Sequence, residues 1–412
     1  MPKLSYIIWH CLFSLSAPLI SACKAPVHSP TPVPQHEVRV RPGAWQTEAY
    51  YPMLKGKKFA IVCNHTATVG VTHLVDTLIR AGLKPSKLFA PEHGFRGDLP
   101  DGHHFGNRVD KTTGIPIISV YGQNKKPQKE DLADLDVMVF DIQDVGARFY
   151  TYLSTMHYIM QACAELDLPL IVLDRPNPNG HCIDGPLLDW SYESFVGMHP
   201  VPVVYGMTIG EYASMINGEG WLEGDVVCDL KVIPLSNYDR KKPFELLDRP
   251  SPNLPNMRAI YLYPSLCFFE GTKMSVGRGT PFPFQLIGHP DLQIGDTRFM
   301  PVSKPESTDP PQKNKECRGF DLTELEEDHL FQKRRIDLKW LLESYAAFPD
   351  KEAFFLKSGF FDKLAGTDKL RLQITMGLDE VAIRDSWQPG LRQFRSIRKK
   401  YLLYPDFEDV EK

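Results

Sequence analysis

The stretch Val137-Met138-Val139-Phe140-Asp141-Ile142-Gln143-Asp144-Val145-Gly146-Ala147-Arg148-Phe149-Tyr150 decides the fold. It opens with a continuous apolar run, as expected of a strand buried on both faces. The run ends in two acids and an amide. A helical pattern follows, with Phe149, Leu153, Met156, Met160 and Cys163 at spacings of three and four. The next apolar run, Leu170 to Leu173, completes a strand–helix–strand unit.

Outward from this unit the alternation repeats. Phe59-Ala60-Ile61-Val62-Cys63 is a second continuous apolar run, followed by a helix pattern from His73 to Ala81 that Gly82 stops. Lys87 to Ala90, Ile115 to Val120 and Leu230 to Ile233 read as further strands, and Ile209 to Ile216 as a helix. The expected fold is α/β: a Rossmann-like, mainly parallel sheet domain over residues 43–235. No GxGxxG follows the first strand, so no dinucleotide site is inferred. From residue 236 the pattern loosens. Helix patterns at Leu338 to Phe348 and Leu391 to Tyr401, a short alternating stretch at Leu370 to Ile374 and a polar loop at 301–315 predict a smaller α+β C-terminal domain over 236–412. The cleft between the two halves is the expected site.

Composition narrows the class. The chain has 412 residues, 42% hydrophobic and 24% charged, which excludes a mainly disordered, collagen-like or coiled-coil protein. With 47 basic and 51 acidic residues, net −4, no basic field points to nucleic acid. A mean hydropathy of −0.26 excludes a polytopic membrane protein. One membrane signal remains. Lys3, the apolar run Leu4 to Ile20 and Ser21-Ala22-Cys23 read as a secretory signal over residues 1–23. Leu19 to Cys23 resembles the bacterial lipobox, in which cysteine becomes the lipidated first residue. Residues 24–42 hold Pro26, Pro30, Pro32, Pro34 and Pro42 and read as a tether. The expectation is an exported protein, lipid-anchored through Cys23 to the cell envelope, at the periplasmic face or the outer membrane. Loss of Lys3 with the signal takes the mature chain from −4 to −5. Beyond Cys11 and Cys23, the six cysteines show no CxxC spacing and read mostly as small buried hydrophobes, although export would allow some to pair.

In such sheets ligands bind beyond the carboxyl ends of the strands. Four strand exits here carry polar residues: Asn64-His65, Glu92-His93, Asp141 with Gln143 and Asp144, and Asp174-Arg175. Any one of these fits a turn or a helix cap; their convergence points to a site. Residues 93–114 make a Gly-, Asp- and His-rich loop that fits either an active-site cover or a surface excursion.

Among the acids, Glu92 stands out at a tight strand exit, where partial desolvation would suit a general acid; pairing with Arg96 is the alternative. Arg148, read in a first helical turn, needs a partner, either Asp144 or an anionic ligand. His93, His103 and His104, with Asp98 and Asp101, allow a metal site. Metal ligands usually come from rigid elements, however, and these lie on one loop, so no metal is assigned. Glu270 and Arg278 lie among aromatics and glycines, a setting that suits a sugar ring and equally a core edge.

These strings together resemble a bacterial family once labelled only as a domain of unknown function and now associated with exo-β-N-acetylmuramidases of peptidoglycan recycling. The resemblance rests on Asn64-His65-Thr66, on Pro91 to Gly97, on Asp141 to Tyr152 and on Asp174 to Pro178. It continues in Glu270-Gly271-Thr272, Gly277 to Thr280, Leu364 to Thr367 and Tyr401 to Tyr404. It spans roughly residues 50–405, and the 301–315 insertion is the chief departure. It implies release of N-acetylmuramic acid from the non-reducing end of β-1,4-linked peptidoglycan fragments (muropeptides or disaccharides), without a cofactor. Glu92 is then the acid, with Asp144, Asp174 and Glu270, in falling order, for the second group. Arg148, Arg175 and Arg278 are candidates for the lactyl carboxylate. Asn64, His65, His93, Gln143 and Tyr150 complete the expected substrate-binding set. The rivals are a non-catalytic lipoprotein that binds wall fragments and a metal-dependent hydrolase using His93, His103 and His104.

Overall fold

Along the strand Phe59–Cys63 (β1), Ala60 and Val62 enter one apolar cluster, while Phe59, Ile61 and Cys63 enter another. The alternation recurs in Val137–Asp141 and Leu170–Leu173, so the middle of the sheet is buried on both faces and those strands need no polar side. A computed structural model of the chain describes residues 39–92, 94–96 and 106–409. The expected signal, the Cys23 lipidation site and the Pro-rich tether before residue 39 lie outside these residues, as do His93, Asp98, Asp101, His103 and His104.

After β1 come the short pair Thr68–Val69 (β2) and Thr72–His73 (β3), then Lys87–Ala90 (β4), Arg108–Val109 (β5), Pro116–Ser119 (β6), Val137–Asp141 (β7), Leu170–Leu173 (β8) and Leu230–Ile233 (β9). Seven of them form one sheet in the order β5-β6-β4-β1-β7-β8-β9. All neighbours run parallel except the edge pair β5 and β6. The order reverses direction at β1, which makes the sheet doubly wound and opens a crevice at the strand ends there.

Helices Thr47–Leu54 (α1) and Leu74–Arg80 (α2) cover one face through Tyr50, Leu54, Leu74, Val75 and Leu78. The other face carries Lys129–Leu132 (α3), Tyr152–Ala164 (α4) and Ile209–Gly218 (α5). The cluster on that face continues without a break into the smaller C-terminal half, through Tyr263, Phe268, Phe284, Trp340 and Phe361. That half comprises Met257–Leu266 (α6), an antiparallel sheet of Leu286–His289 (β10), Thr297–Phe299 (β11) and Cys317–Asp321 (β12), and six helices: Glu327–Lys333 (α7), Lys339–Ala347 (α8), Lys351–Phe354 (α9), Phe360–Ala365 (α10), Lys369–Thr375 (α11) and Glu380–Arg398 (α12). The expected α/β sheet with a smaller α+β part is therefore what the chain forms.

Two local expectations fail. Leu370 to Ile374 is helical (α11), because Leu370 and Ile374 are its buried pair and a spacing of four serves a helix better than a strand. The last helix begins at Glu380, not Leu391. Asp379 caps it by accepting from Ala382 N at 2.8 Å, and Ile383, Trp387, Leu391 and Phe394 make one buried stripe that runs past Pro389. The six described cysteines are all buried and unpaired. No helix among the described residues is long and apolar enough to cross a membrane.

Candidate active site

Strand exits meet the C-terminal half around a cavity of about 240 Å³. From the sheet come Glu92 after β4, Tyr121 after β6 and Phe149 to Tyr152 after β7. From the other side come Tyr263 on α6, Cys267 and Glu270 on the turn that follows it, Arg278 and Phe284 before β10, and Phe360 and Leu364 on α10.

Much of the wall is aromatic and interlocked. Phe149 meets Tyr263 edge-on at 5.2 Å between ring centres, Tyr150 meets Tyr152 at 4.8 Å, and Tyr263 meets Phe284 at 4.9 Å. Edge-to-face contacts of this kind fix ring orientation. The Tyr150 hydroxyl donates to the Pro250 carbonyl at 2.6 Å. Phe195, also in the wall, lies 6.0 Å from Tyr121 between ring centres.

Two carboxylates share this cavity, and each is held differently. Glu92 Oε1 accepts from the Tyr121 hydroxyl at 2.8 Å and Oε2 from the Thr151 hydroxyl at 3.1 Å. Glu270 is the anionic partner of Arg278, whose Nε donates to Oε1 at 2.6 Å. Cys267 Sγ lies 3.6 Å from the other Glu270 oxygen, and burial pushes that thiol well up, which keeps it protonated. The Arg278 guanidinium also rests 5.0 Å from the Phe284 ring centre. Arg96, the alternative partner considered for Glu92, pairs with Asp76 and Asp110.

The remaining expected residues sit below or beside the cavity. Asp144 is buried. Its Oδ2 accepts from the Tyr205 hydroxyl and from Gly146 N, while Oδ1 has no hydrogen-bond partner among the described residues. Desolvation raises its pKa to about 6 against these donors. Asp174 is saturated by Tyr404, Thr208, Gly210 N and Arg175 N, at 2.6 to 2.9 Å, and desolvation raises its pKa to about 7. Arg175 closes a buried fork onto Asp141, and Gln143 donates to the Asp144 and Pro176 carbonyls. Asn64 donates to the Tyr152 hydroxyl at 2.8 Å, steadying a wall residue from behind. His65 Nε2 contacts the Arg249 carbonyl at 2.7 Å.

Arg148 takes neither expected partner. It precedes α4 rather than lying in its first turn. Its two terminal nitrogens donate to the carbonyls of Pro186, Val201, Leu364 and Ala365 at 2.6 to 3.0 Å. Four carbonyl dipoles replace a counter-ion there. Of the three arginines considered for a carboxylate ligand, Arg278 is the one that lines the cavity.

Sequence reasoning missed Tyr121, Thr151 and Phe195. The strand-exit rule would have found Tyr121, which directly follows the Ile115 to Val120 run. Nothing local marks Phe195. Among the described residues no group of three His, Cys, Asp or Glu side chains could hold a metal ion.

The comparisons with known proteins follow this geometry. Residues 59–258 match the model of the N-terminal part of the exo-β-N-acetylmuramidase NamZ family, and residues 261–404 match that of its C-terminal part. A peptidoglycan β-N-acetylmuramidase of Bacillus subtilis (strain 168), NamZ, is 38% identical over 373 residues, 86% of this chain and 89% of that protein. Two crystal structures of DUF1343 family proteins from Bacteroides fragilis NCTC 9343 are similar throughout. One superposes with a TM-score of 0.83 at 46% identity, covering 89% of this chain and 99% of the other. The second gives 0.77 at 29% identity, covering 89% and 100%.

Proposed function

This chain belongs to the exo-β-N-acetylmuramidase NamZ family, and from that membership we propose how its cavity works on peptidoglycan. The protein is a glycoside hydrolase that releases N-acetylmuramic acid from the non-reducing end of β-1,4-linked peptidoglycan. The observation that carries the chemistry is the pairing of Glu92 and Glu270 in one aromatic-walled cavity.

Glycoside hydrolysis needs one group to protonate the leaving oxygen and a second to assist at the anomeric carbon. Glu92 is assigned the acid role: the Tyr121 and Thr151 hydroxyls, one on each of its oxygens, orient it toward the cavity it lines. Glu270, paired with Arg278 at 2.6 Å, is assigned the second role, stabilising the positive charge that develops at the anomeric carbon. Asp144 and Asp174, buried and engaged elsewhere, support the frame. The aromatic walls offer faces to the C–H groups of the sugar ring, and Arg278 offers a planar fork to the lactyl carboxylate that distinguishes muramic acid from glucosamine.

The test is incubation with the muramic acid–glucosamine disaccharide, read by mass spectrometry. Free N-acetylmuramic acid is expected from the intact protein. Glu92→Gln should lose roughly a hundredfold or more in turnover, the scale of a general acid, while remaining folded. Near-normal turnover would remove Glu92 from the acid role.

We further propose that the mature chain begins at Cys23, lipidated and anchored to the cell envelope. The small-residue exit Ser21-Ala22-Cys23 and the prolines that follow support this. Cys23→Ser should move the protein from the membrane to the soluble fraction; an unchanged membrane fraction would sink the anchor.

A further inference from the structure

A second pocket, of about 120 Å³, lies against the same two segments that wall the cavity. Ser251 and Leu254 line the cavity, and Pro252, Asn253 and Pro255 line the pocket. Arg278 and Phe284 belong to the cavity, and Gly279, Thr280, Pro281 and Pro283 to the pocket. The loop 301–315 closes the far side, contributing Lys304, Glu306 and Ser307.

The lining is polar and positively biased. Arg249 and Lys304 carry two positive charges against the single Glu306, and among the described residues neither cation has a hydrogen-bonded or ion-paired side-chain partner. An unpartnered cation pair in a recess is poised for an anion. The recess is also built rather than incidental. Asn253, which is buried, donates to the Glu306 carbonyl at 3.1 Å. Lys304 and Ser307 exchange backbone hydrogen bonds at 3.0 Å, fixing the loop turn. Prolines stiffen the other walls. Its volume is half that of the cavity, room for a charged side arm and too little for a sugar ring with its substituents.

We propose that this pocket is an accessory subsite for the lactyl carboxylate of a second muramic acid on the same glycan, two sugars beyond the one being released. The inference rests on the muramidase reading of the cavity and deepens it. A peptide-free glycan alternating muramic acid and glucosamine carries a carboxylate on every second ring. A fragment of four sugars can therefore engage both recesses, and a fragment of two only the first.

The experiment compares kcat/KM on the peptide-free disaccharide and tetrasaccharide. A charge-assisted contact supports about a tenfold preference for the tetrasaccharide, carried by KM. Lys304→Ala combined with Arg249→Ala should erase that preference by raising KM for the tetrasaccharide, leaving disaccharide turnover unchanged. Lys304→Arg should retain it. Equal kcat/KM on both substrates in the intact protein would overturn the subsite, as would a preference that survives the double substitution. Failure to cleave either substrate would overturn the muramidase reading itself and the subsite with it, an outcome distinct from the other two.

Discussion

Glu92 and Tyr121 stand at the same level just beyond the ends of neighbouring parallel strands. Ala90 of β4 is in register with Ser119 of β6, and each residue follows its partner by two, so the Tyr121 hydroxyl reaches Glu92 Oε1 at 2.8 Å. Strand register therefore sets the orientation of the carboxylate.

Tyr121→Phe removes that donor and leaves the ring against Phe195 intact. A hydrogen bond to a charged or reacting group is worth about 1.5–3 kcal/mol, so kcat should fall about tenfold or more with KM nearly constant. Thr151→Ser should keep the second donor and Thr151→Val should lose it. Steady-state kinetics with an altered pH profile would establish a positioning role; a change in KM alone would count against it.

Arg278→Ala should raise KM for muramic acid glycosides about tenfold or more over the corresponding glucosamine glycosides, the scale of a lost charge-assisted contact. The same variant releases Glu270 from its partner, so kcat should also fall, for both sugars. Equal KM changes for both sugars would argue that Arg278 serves Glu270 alone.

Asp144→Asn gives a stability difference that depends on pH. The Asp144 carboxyl is raised from 3.8 to about 6 in the fold, so its contribution is fully present below the unfolded value and is lost as pH rises through about 6. An amide does not titrate there, and its oxygen can still accept from Tyr205 and Gly146 N. Between pH 4 and 7, wild type should therefore lose about 2 kcal/mol relative to the variant. Urea denaturation at both ends of that window measures it, and a constant difference would contradict the buried-acid description.

Gly366 sits at φ +73°, and a Cβ there would lie 2.7 Å from Arg148 Nη2 and 2.8 Å from Leu188 Cα. Gly366→Ala should destabilise the protein by about 1–3 kcal/mol, from backbone strain and displacement of the arginine. Arg148→Met should cost more than about 3 kcal/mol, because four buried carbonyls lose their donors. Thermal melts of both variants check the order.

Much of the fold was legible because strands buried on both faces write themselves as apolar runs, and β1, β4, β7 and β8 fall where such runs lie, while the edge strand β9, with Lys231 exposed, showed only a short mixed run. The strand-exit argument also led to the end of the sheet at which the cavity lies. It could not tell Glu92 from Asp144 or Asp174, since all three are acids at strand exits. The difference lies in what covers them: the 202–212 region brings Tyr205, Thr208 and Gly210 N over the two aspartates, and such coverage leaves no local trace. Glu270 and Arg278 were visible as an acid and a base among aromatics, but their ion pair depends on how the turn after α6 folds back. Leu370 and Ile374 misled because a five-residue window fits both periods.

The Arg148 clamp has a consequence for how the catalyst opens. Its guanidinium binds a sheet-side loop to the carbonyls of Leu364 and Ala365, and Leu364 is itself part of the cavity wall. Swinging the two halves apart would leave the Leu364 and Ala365 carbonyls without their donor and the buried guanidinium with only Pro186 and Val201, a cost that opposes a hinge at this seam. The halves should melt as one, in a single transition, and neither should survive expression alone. The Arg148 clamp thus ties two walls of the cavity together where Leu364 joins them, and a sugar meets those walls already set.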